Sequence, residues 1–220
     1  MAVGRRALPK IDPTLDLTVW LTTFERLPRP WDPQALFGRV APLAVEVGSG
    51  KGLFLRTEAL RQPEVDFLGI EIADPYARFA AASLAKHQIP NAAVVAGDAL
   101  RIFAEVFPDR SLAAVHVYFP DPWWKKRHKK RRVMRESFLR DVARTLCPGG
   151  LLHFWTDVEE YFVSTLELIA ATTTLGEPLP VELRPAEHDM DYRTHFERRM
   201  RLNDEPVYRA VFRKAADPAP

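Results

Sequence analysis

The sequence predicts an α/β fold, a mostly parallel sheet with helices on both faces. Three observations lead to it. Short apolar runs alternate with helical stretches from Leu43 onward, the first run ends in a glycine-rich turn, and 220 residues with 47% apolar content suit one domain of this class. We expect an extension over residues 1–40 that packs on the core, the main domain over 41–214, and a frayed tail over 215–220.

The elements follow in chain order. Leu17 to Leu27 predicts a short helix, which prolines 28, 30 and 33 would end. Six apolar runs then predict strands: Leu43–Val47, Phe67–Ile72, Ala92–Ala96, Leu112–Phe119, Leu151–Thr156 and Val207–Phe212. Five intervening stretches predict helices: Gly52–Leu60, Pro75–His87, Ala99–Phe107, Met134–Leu146 and Val158–Thr172. The turn Pro148-Gly149-Gly150 is a strong stop signal for the fourth of these helices.

The first strand leads into a turn that is rich in glycine. Its spacing is E-x-G-x-G-x-G, from Glu46 through Gly48 and Gly50 to Gly52, and it differs from the dinucleotide pattern G-x-G-x-x-G. Glycines at such a turn let the backbone approach a ligand closely, beside the free N–H groups of the next helix. Lys51 is more typical of a solvated residue at a helix start than of a phosphate ligand.

Carboxylates end the next two strands, Glu71 after the second and Asp98 after the third. An acid about 20 residues beyond the glycine turn is where such folds bind ribose hydroxyls. With Glu46, these acids suit a ligand that carries hydroxyls, amino groups and positive charge, as S-adenosylmethionine does. The alternative is a tight turn with ordinary surface acids.

Residues Phe119 to Arg132 join one carboxylate to a dense cationic run. Asp121 lies between Pro120 and Pro122, which restrict the backbone on both sides of it, at the strand edge where open α/β sheets bind ligands. Trp123 and Trp124 would stack on a base or cover the core. From Lys125 to Arg132, seven of eight residues are Lys or Arg, and removing these seven charges from the formal net charge of +2 leaves −5.

A cationic run of this density indicates a polyanion contact, and its position beside Asp121 favours nucleic acid. A solvated helix face, a membrane surface and a localisation signal are the alternatives. The single cysteine, Cys147, excludes an internal disulfide and a multi-cysteine zinc site, and we expect no metal. No apolar run approaches the roughly 18 residues of a membrane span, and no secretory signal is evident, so we expect a cytoplasmic protein.

Taken together, these motifs resemble the tRNA (guanine-N7)-methyltransferases that modify guanosine 46 of the variable loop. The resemblance covers roughly residues 35–213. Four groups of residues carry it: Leu36–Arg39 with Glu46–Gly52, Gly69–Glu71 with Gly97–Ala99, Phe119–Arg132, and Thr156-Asp157 with Thr194–Glu197. Trp124, His195 and Asn203 depart from the family's usual residues.

The resemblance implies a class I S-adenosylmethionine-dependent methyltransferase with a seven-stranded sheet, acting on tRNA as a monomer or homodimer. It implies Asp121 as the catalytic residue, and Glu46, Gly48, Gly50, Glu71, Asp98 and Asp121 as the cofactor site. The substrate site would contain Lys125, Asp157, Thr194, His195, Phe196 and Glu197. The RNA backbone would meet Lys126, Arg127, Lys129, Lys130, Arg131 and Arg132. A methyltransferase acting on another substrate and an RNA-binding protein with a vestigial cofactor site are the alternative functions, while the glycine spacing disfavours a nicotinamide dehydrogenase.

Overall fold

The computed structural model describes residues 8–123, 126–181 and 192–216, without the side chains of Lys126 and Lys129. In these residues seven strands form one sheet in the order β1-β4-β3-β2-β5-β6-β7. Neighbouring strands are parallel except β6 and β7, which are antiparallel. The strands are β1 (Leu21–Thr23), β2 (Leu43–Val47), β3 (Asp66–Glu71), β4 (Ala92–Ala96), β5 (Leu112–Tyr118), β6 (Leu146–Thr156) and β7 (Tyr208–Arg213).

Helices cover both faces of this sheet. They are α1 (Gln34–Phe37), α2 (Leu53–Arg61), α3 (Asp74–Lys86), α4 (Ala99–Glu105), α5 (Glu136–Thr145), α6 (Glu159–Thr172) and α7 (His195–Leu202), with 3₁₀ turns over Phe24–Arg26 and Lys126–Arg131. Alternate residues of each strand enter two separate apolar clusters. One cluster contains side chains of α4, α5 and α6, and the other contains side chains of α2 and α3. The predicted α/β class is confirmed.

The helix predicted over residues 17–27 is wrong, because this stretch contributes an edge strand to the sheet. β1 pairs in parallel with β4, and the Trp20 indole N–H donates to the Ile89 carbonyl at 2.6 Å. Phe24 follows directly and is buried in the core. Tertiary pairing with β4 overrides the weak local preference of a segment too short to hold a helix.

The turn at Pro148-Gly149-Gly150 lies inside β6 and not before it. Helix α5 ends at Thr145, and β6 begins at the next residue, five residues earlier than predicted. Pairing with β5 shifts register here, so that residues 147–150 lie opposite Ala113 alone. A Cβ at Gly150 would lie 2.9 Å from the Cys147 carbonyl oxygen, so this irregularity requires a glycine.

Helix α7 follows the undescribed residues 182–191 and was not among the predicted elements. Thr194 caps it, and Glu197 lies three residues later, which is the spacing of a capping box. Among the described helices, none combines the length and apolarity that crossing a membrane requires.

Candidate active site

A cleft of about 610 Å³ opens at the carboxyl ends of β4, β3, β2 and β5. The glycine turn, the acids that follow β3 and β4, and the Asp121 turn after β5 all line it, as does part of the cationic run. These segments are far apart in sequence, and the parallel sheet brings them to one edge. The volume falls in the range of small-molecule sites.

The glycine turn after β2 has a left-handed backbone that Glu71 holds in place. Gly48, Gly50 and Gly52 have φ of +79°, +54° and +73°, a conformation that favours glycine. One Glu71 oxygen accepts the Gly50 N–H at 2.9 Å, and the other accepts the Ala73 N–H at 2.9 Å. Glu71 therefore fixes the turn while it faces the cleft.

Glu46 is buried in β2 and is 3% exposed; it is not among the residues that line the cleft, although the next residue, Val47, is. Burial raises the pKa of its carboxyl well above the usual range, and the nearby Glu71 adds to the rise. Its Oε2 atom has no hydrogen-bond partner among the described residues. A buried acid with an unsatisfied oxygen, beside a second acid, is a fitting neighbour for a cationic ligand group.

Asp98 both caps helix α4 and lines the cleft. One of its oxygens accepts the Leu100 N–H at 2.9 Å. Two apolar residues that the sequence did not single out, Ile72 and Leu100, also line the cleft, and Ile72 is 74% exposed. In the sequence, the only sign of this apolar wall was an isoleucine directly after a strand-end acid, and its exposure in the structure shows that it does not belong to the core.

The Asp121 turn contains strained residues on both sides of the carboxylate. Phe119 has φ of +49° and Trp123 has φ of +46°, which non-glycine residues rarely adopt. Asp121 is exposed and faces the cleft, and Trp123 packs edge-on against His128 with ring centroids 5.8 Å apart. Strain that recurs at two neighbouring positions is typical of a functional site.

The cationic run divides into outward and inward members. Arg127, Lys130 and Arg131 are exposed, and the last two line the cleft. Arg132 is 9% exposed, and its Nε–H donates to the Pro122 carbonyl at 2.6 Å. Trp124 and Lys125 lie outside the described residues, as do the side chains of Lys126 and Lys129.

Asp157 directly follows β6, which neighbours β5, the strand that precedes the Asp121 turn. Partial burial raises the pKa of its carboxyl, Glu205 adds to the rise, and Arg199 opposes it. Asp157 is not among the residues that line the cleft, so it lies beside the cofactor-sized space and not in it.

The four residues Thr194 to Glu197 begin helix α7. The Thr194 hydroxyl accepts the Glu197 N–H at 3.0 Å, and Glu197 accepts the Arg193 N–H at 2.7 Å and a bond from Arg209 at 3.2 Å. Glu197 is 2% exposed, so its contacts are with the protein. His195 is exposed, and the ring of Phe196 lies 4.7 Å from that of Phe119, which links α7 to the Asp121 turn. The assignment of these four residues to substrate stays a prediction.

Two kinds of comparison place this arrangement among known proteins. A family model described as "Putative methyltransferase" matches residues 40–210. The chain is 54% identical over 220 residues to the tRNA (guanine-N(7)-)-methyltransferase of Rhodopirellula baltica, covering 97% of the chain and 81% of that protein. It is 39% identical over 186 residues to the enzyme of that name from Aromatoleum aromaticum, covering 84% and 71%.

Solved structures with the same fold are more distant in sequence. The 16S rRNA (adenine(1408)-N(1))-methyltransferase of Catenulisporales acidiphilia aligns with a TM-score of 0.58 at 19% identity, covering 86% of this chain and 94% of that one. An aminoglycoside resistance methyltransferase aligns with a TM-score of 0.53 at 19% identity, covering 79% and 87%. The chain therefore has the fold of class I S-adenosylmethionine-dependent methyltransferases, with β7 antiparallel.

Proposed function

The chain belongs to the family of tRNA (guanine-N7)-methyltransferases, and from that premise we propose that it methylates N7 of guanosine 46 in tRNA, with S-adenosylmethionine as the methyl donor. One observation supports the proposal most directly. The strand-end acids, Asp121 and the exposed cations Lys130 and Arg131 all line the same cleft. A cationic surface that continues into a carboxylate-lined cleft fits a polyanion that presents one base for reaction.

The residues of the cleft fit S-adenosylmethionine. The unsatisfied oxygen of Glu46 and its neighbour Glu71 suit the ammonium group. Glu71 and Asp98 keep lone pairs for ribose hydroxyls and the adenine amino group, and Ile72 and Leu100 give the adenine ring an apolar wall. Bound there, the cofactor supplies an electrophilic methyl group on a sulfonium.

Asp121 orients the guanine and stabilises its developing charge, and it does not act as a general base. N7 of guanine has an in-plane lone pair and carries no proton, so the nucleophile needs no deprotonation. Methylation places positive charge on the purine, and a carboxylate held beside it stabilises that charge. The turn that restrains Asp121 also aligns the reacting groups, which is the main contribution a protein can make to an in-line transfer.

The cationic run binds the tRNA backbone. Arg127, Lys130 and Arg131 extend from the cleft edge to the surface, where phosphates can reach them. Phosphate contacts fix the position of the nucleic acid and carry no sequence information. Selection of one guanosine then depends on residues nearer the cleft, for which Asp157 and the start of α7 are the proposed candidates.

The test is nucleoside analysis of a tRNA transcript incubated with the purified protein and labelled S-adenosylmethionine. We expect 7-methylguanosine, and we expect none from a matched transcript in which adenosine replaces guanosine 46. Asp121→Ala serves as the inactive control protein.

Each alternative has its own outcome. Label in a different nucleoside, or 7-methylguanosine in the matched transcript, would contradict the proposed site of methylation. The absence of S-adenosylmethionine binding in calorimetry, with tRNA binding retained, would identify an RNA-binding protein with a vestigial site.

A further inference from the structure

One arginine of the cationic run points into the protein. Arg132 is 9% exposed, whereas its neighbours Lys130 and Arg131 are exposed. A buried cation costs free energy unless hydrogen bonds or charges compensate it, so its contacts identify its role. Those contacts are with the protein itself and leave little surface for a phosphate.

The guanidinium of Arg132 has two described contacts, a hydrogen bond and a cation–π contact. Its Nε–H donates to the Pro122 carbonyl at 2.6 Å, and its carbon lies 4.3 Å from the centroid of the Tyr161 ring. Tyr161 belongs to α6, is 1% exposed, and its hydroxyl accepts the Met134 N–H at 3.4 Å. Arg132 thus connects the backbone next to Asp121 to a fixed position on a core helix.

The Asp121 turn has reason to depend on such a connection. Pro120 and Pro122 have no N–H to donate, so this stretch has few backbone bonds with which to hold itself. The turn also keeps φ of +49° at Phe119 and +46° at Trp123, and strained residues persist only where their surroundings enforce them. On the upstream side, the Phe119 N–H donates to the Trp155 carbonyl at 2.8 Å. On the downstream side, Arg132 binds the Pro122 carbonyl.

The charges of Asp121 and Arg132 both influence the pKa of Tyr161. Burial raises the pKa of Tyr161 to about 12, Asp121 adds to the rise, and Arg132 opposes it. Both charges therefore act on one ring.

We propose that Arg132 is a positioning residue for Asp121: its guanidinium, held on Tyr161, fixes the Pro122 carbonyl and with it the Asp121 turn, and it makes no contact with the tRNA backbone. The inference deepens the proposed function and rests on it. It separates Arg132 from the exposed cations with which the sequence groups it.

The test compares Arg132→Met with Arg131→Met, the same change at the adjacent exposed position. For Arg132→Met we expect kcat to fall by about 100-fold, the cost of slight misplacement of a catalytic group, with the KM for tRNA nearly unchanged. The slope of log affinity against log salt should also stay unchanged. For Arg131→Met we expect a higher KM for tRNA and a salt slope that is smaller by about 0.7–0.9, the value of one lost phosphate contact.

A second variant, Arg132→Lys, keeps the proposal testable if Arg132→Met fails to fold. It keeps the charge and one donor but loses the planar group on Tyr161, so we expect a folded protein with kcat between those of wild type and Arg132→Met. A salt slope that falls for Arg132→Met, with kcat retained at saturating tRNA in both Arg132 variants, would overturn the proposal.

Hydrogen exchange separates this inference from the proposed function. The Phe119 amide, which donates to the Trp155 carbonyl at the upstream end of the turn, should exchange faster in Arg132→Met than in wild type, whether or not tRNA is the substrate. Unchanged exchange at this amide would contradict the positioning role. The absence of 7-methylguanosine from the wild-type reaction would instead contradict the function.

Discussion

His153 should make the stability of this protein fall in mild acid, and His153→Phe should remove its share of that fall and leave the share of the buried His116. The His153 ring stacks on His116 with centroids 4.5 Å apart, His116 lies 2.8 Å from the Tyr118 hydroxyl, and the charge of Arg193 acts on both histidines. Burial, assisted by the charge of Arg193, lowers the pKa of His153 to about 3. The unfolded chain has the usual histidine pKa of about 6.5.

These two pKa values determine whether the free energy of unfolding rises or falls with pH. Above pH 6.5 the histidine is neutral in both states and contributes nothing, whereas below it the unfolded state alone takes up a proton. Each pH unit between about 6.5 and 3 then lowers the free energy of unfolding by about 1.4 kcal/mol, so a change from about pH 7.5 to about pH 5 costs roughly 2 kcal/mol. Phenylalanine keeps the ring contact with His116 and cannot be protonated.

Urea unfolding at the two pH values measures this difference. The loss of stability in His153→Phe should be smaller than that of wild type by about 2 kcal/mol, with the same dependence on urea concentration. Equal losses in wild type and His153→Phe would refute the reasoning.

Three further predictions concern the site. Asp121→Ala should reduce turnover by about 10²–10³-fold, the typical cost of removing one electrostatic stabiliser, while tRNA affinity measured by filter binding persists; near-normal methylation would remove Asp121 from the mechanism. Gly52→Ala should cost about 2–4 kcal/mol in urea unfolding, because φ is +73° and the new Cβ would lie 2.9 Å from that of Ala80. Gly48→Ala, with φ of +79° and open space, should cost only about 1–2 kcal/mol, and equal losses would exclude the clash. Lys130→Glu should weaken tRNA binding and lower its salt slope by about 0.7–0.9 or more; an unchanged slope would exclude a phosphate contact.

Local sequence signals predicted the centre of the sheet well. β2 and β4 have the bounds that their apolar runs indicated. Parallel strands that are buried on both faces are nearly continuous apolar segments, so the ends of the run mark the ends of the strand. Two other strands, β1 and β6, were harder to predict. β1 is three residues long and acquires its conformation from β4, while the glycines inside β6 produce a turn signal for what is an irregularity in strand pairing.

The candidate site could be predicted in part, for a related reason. The acids at the strand ends follow from the rule that parallel strands end at one edge, and the cleft contains them. The direction of a side chain within a charged run is not encoded by its neighbours, so Arg132 could not be distinguished from Arg131. Thr194 and Glu197 were interpreted through resemblance alone, although their spacing is also that of a helix cap.

The position of β1 in the sheet has a consequence for how the chain is made. A ribosome produces residues 21–23 early, but their partner, β4, is complete only about seventy residues later. Until then β1 has no neighbouring strand with which to pair, and the Trp20 indole lacks the Ile89 carbonyl to which it donates in the folded protein. At the opposite edge, β7 is synthesised last among the strands and closes the sheet against β6. Synthesis therefore supplies the first edge strand well before its partner.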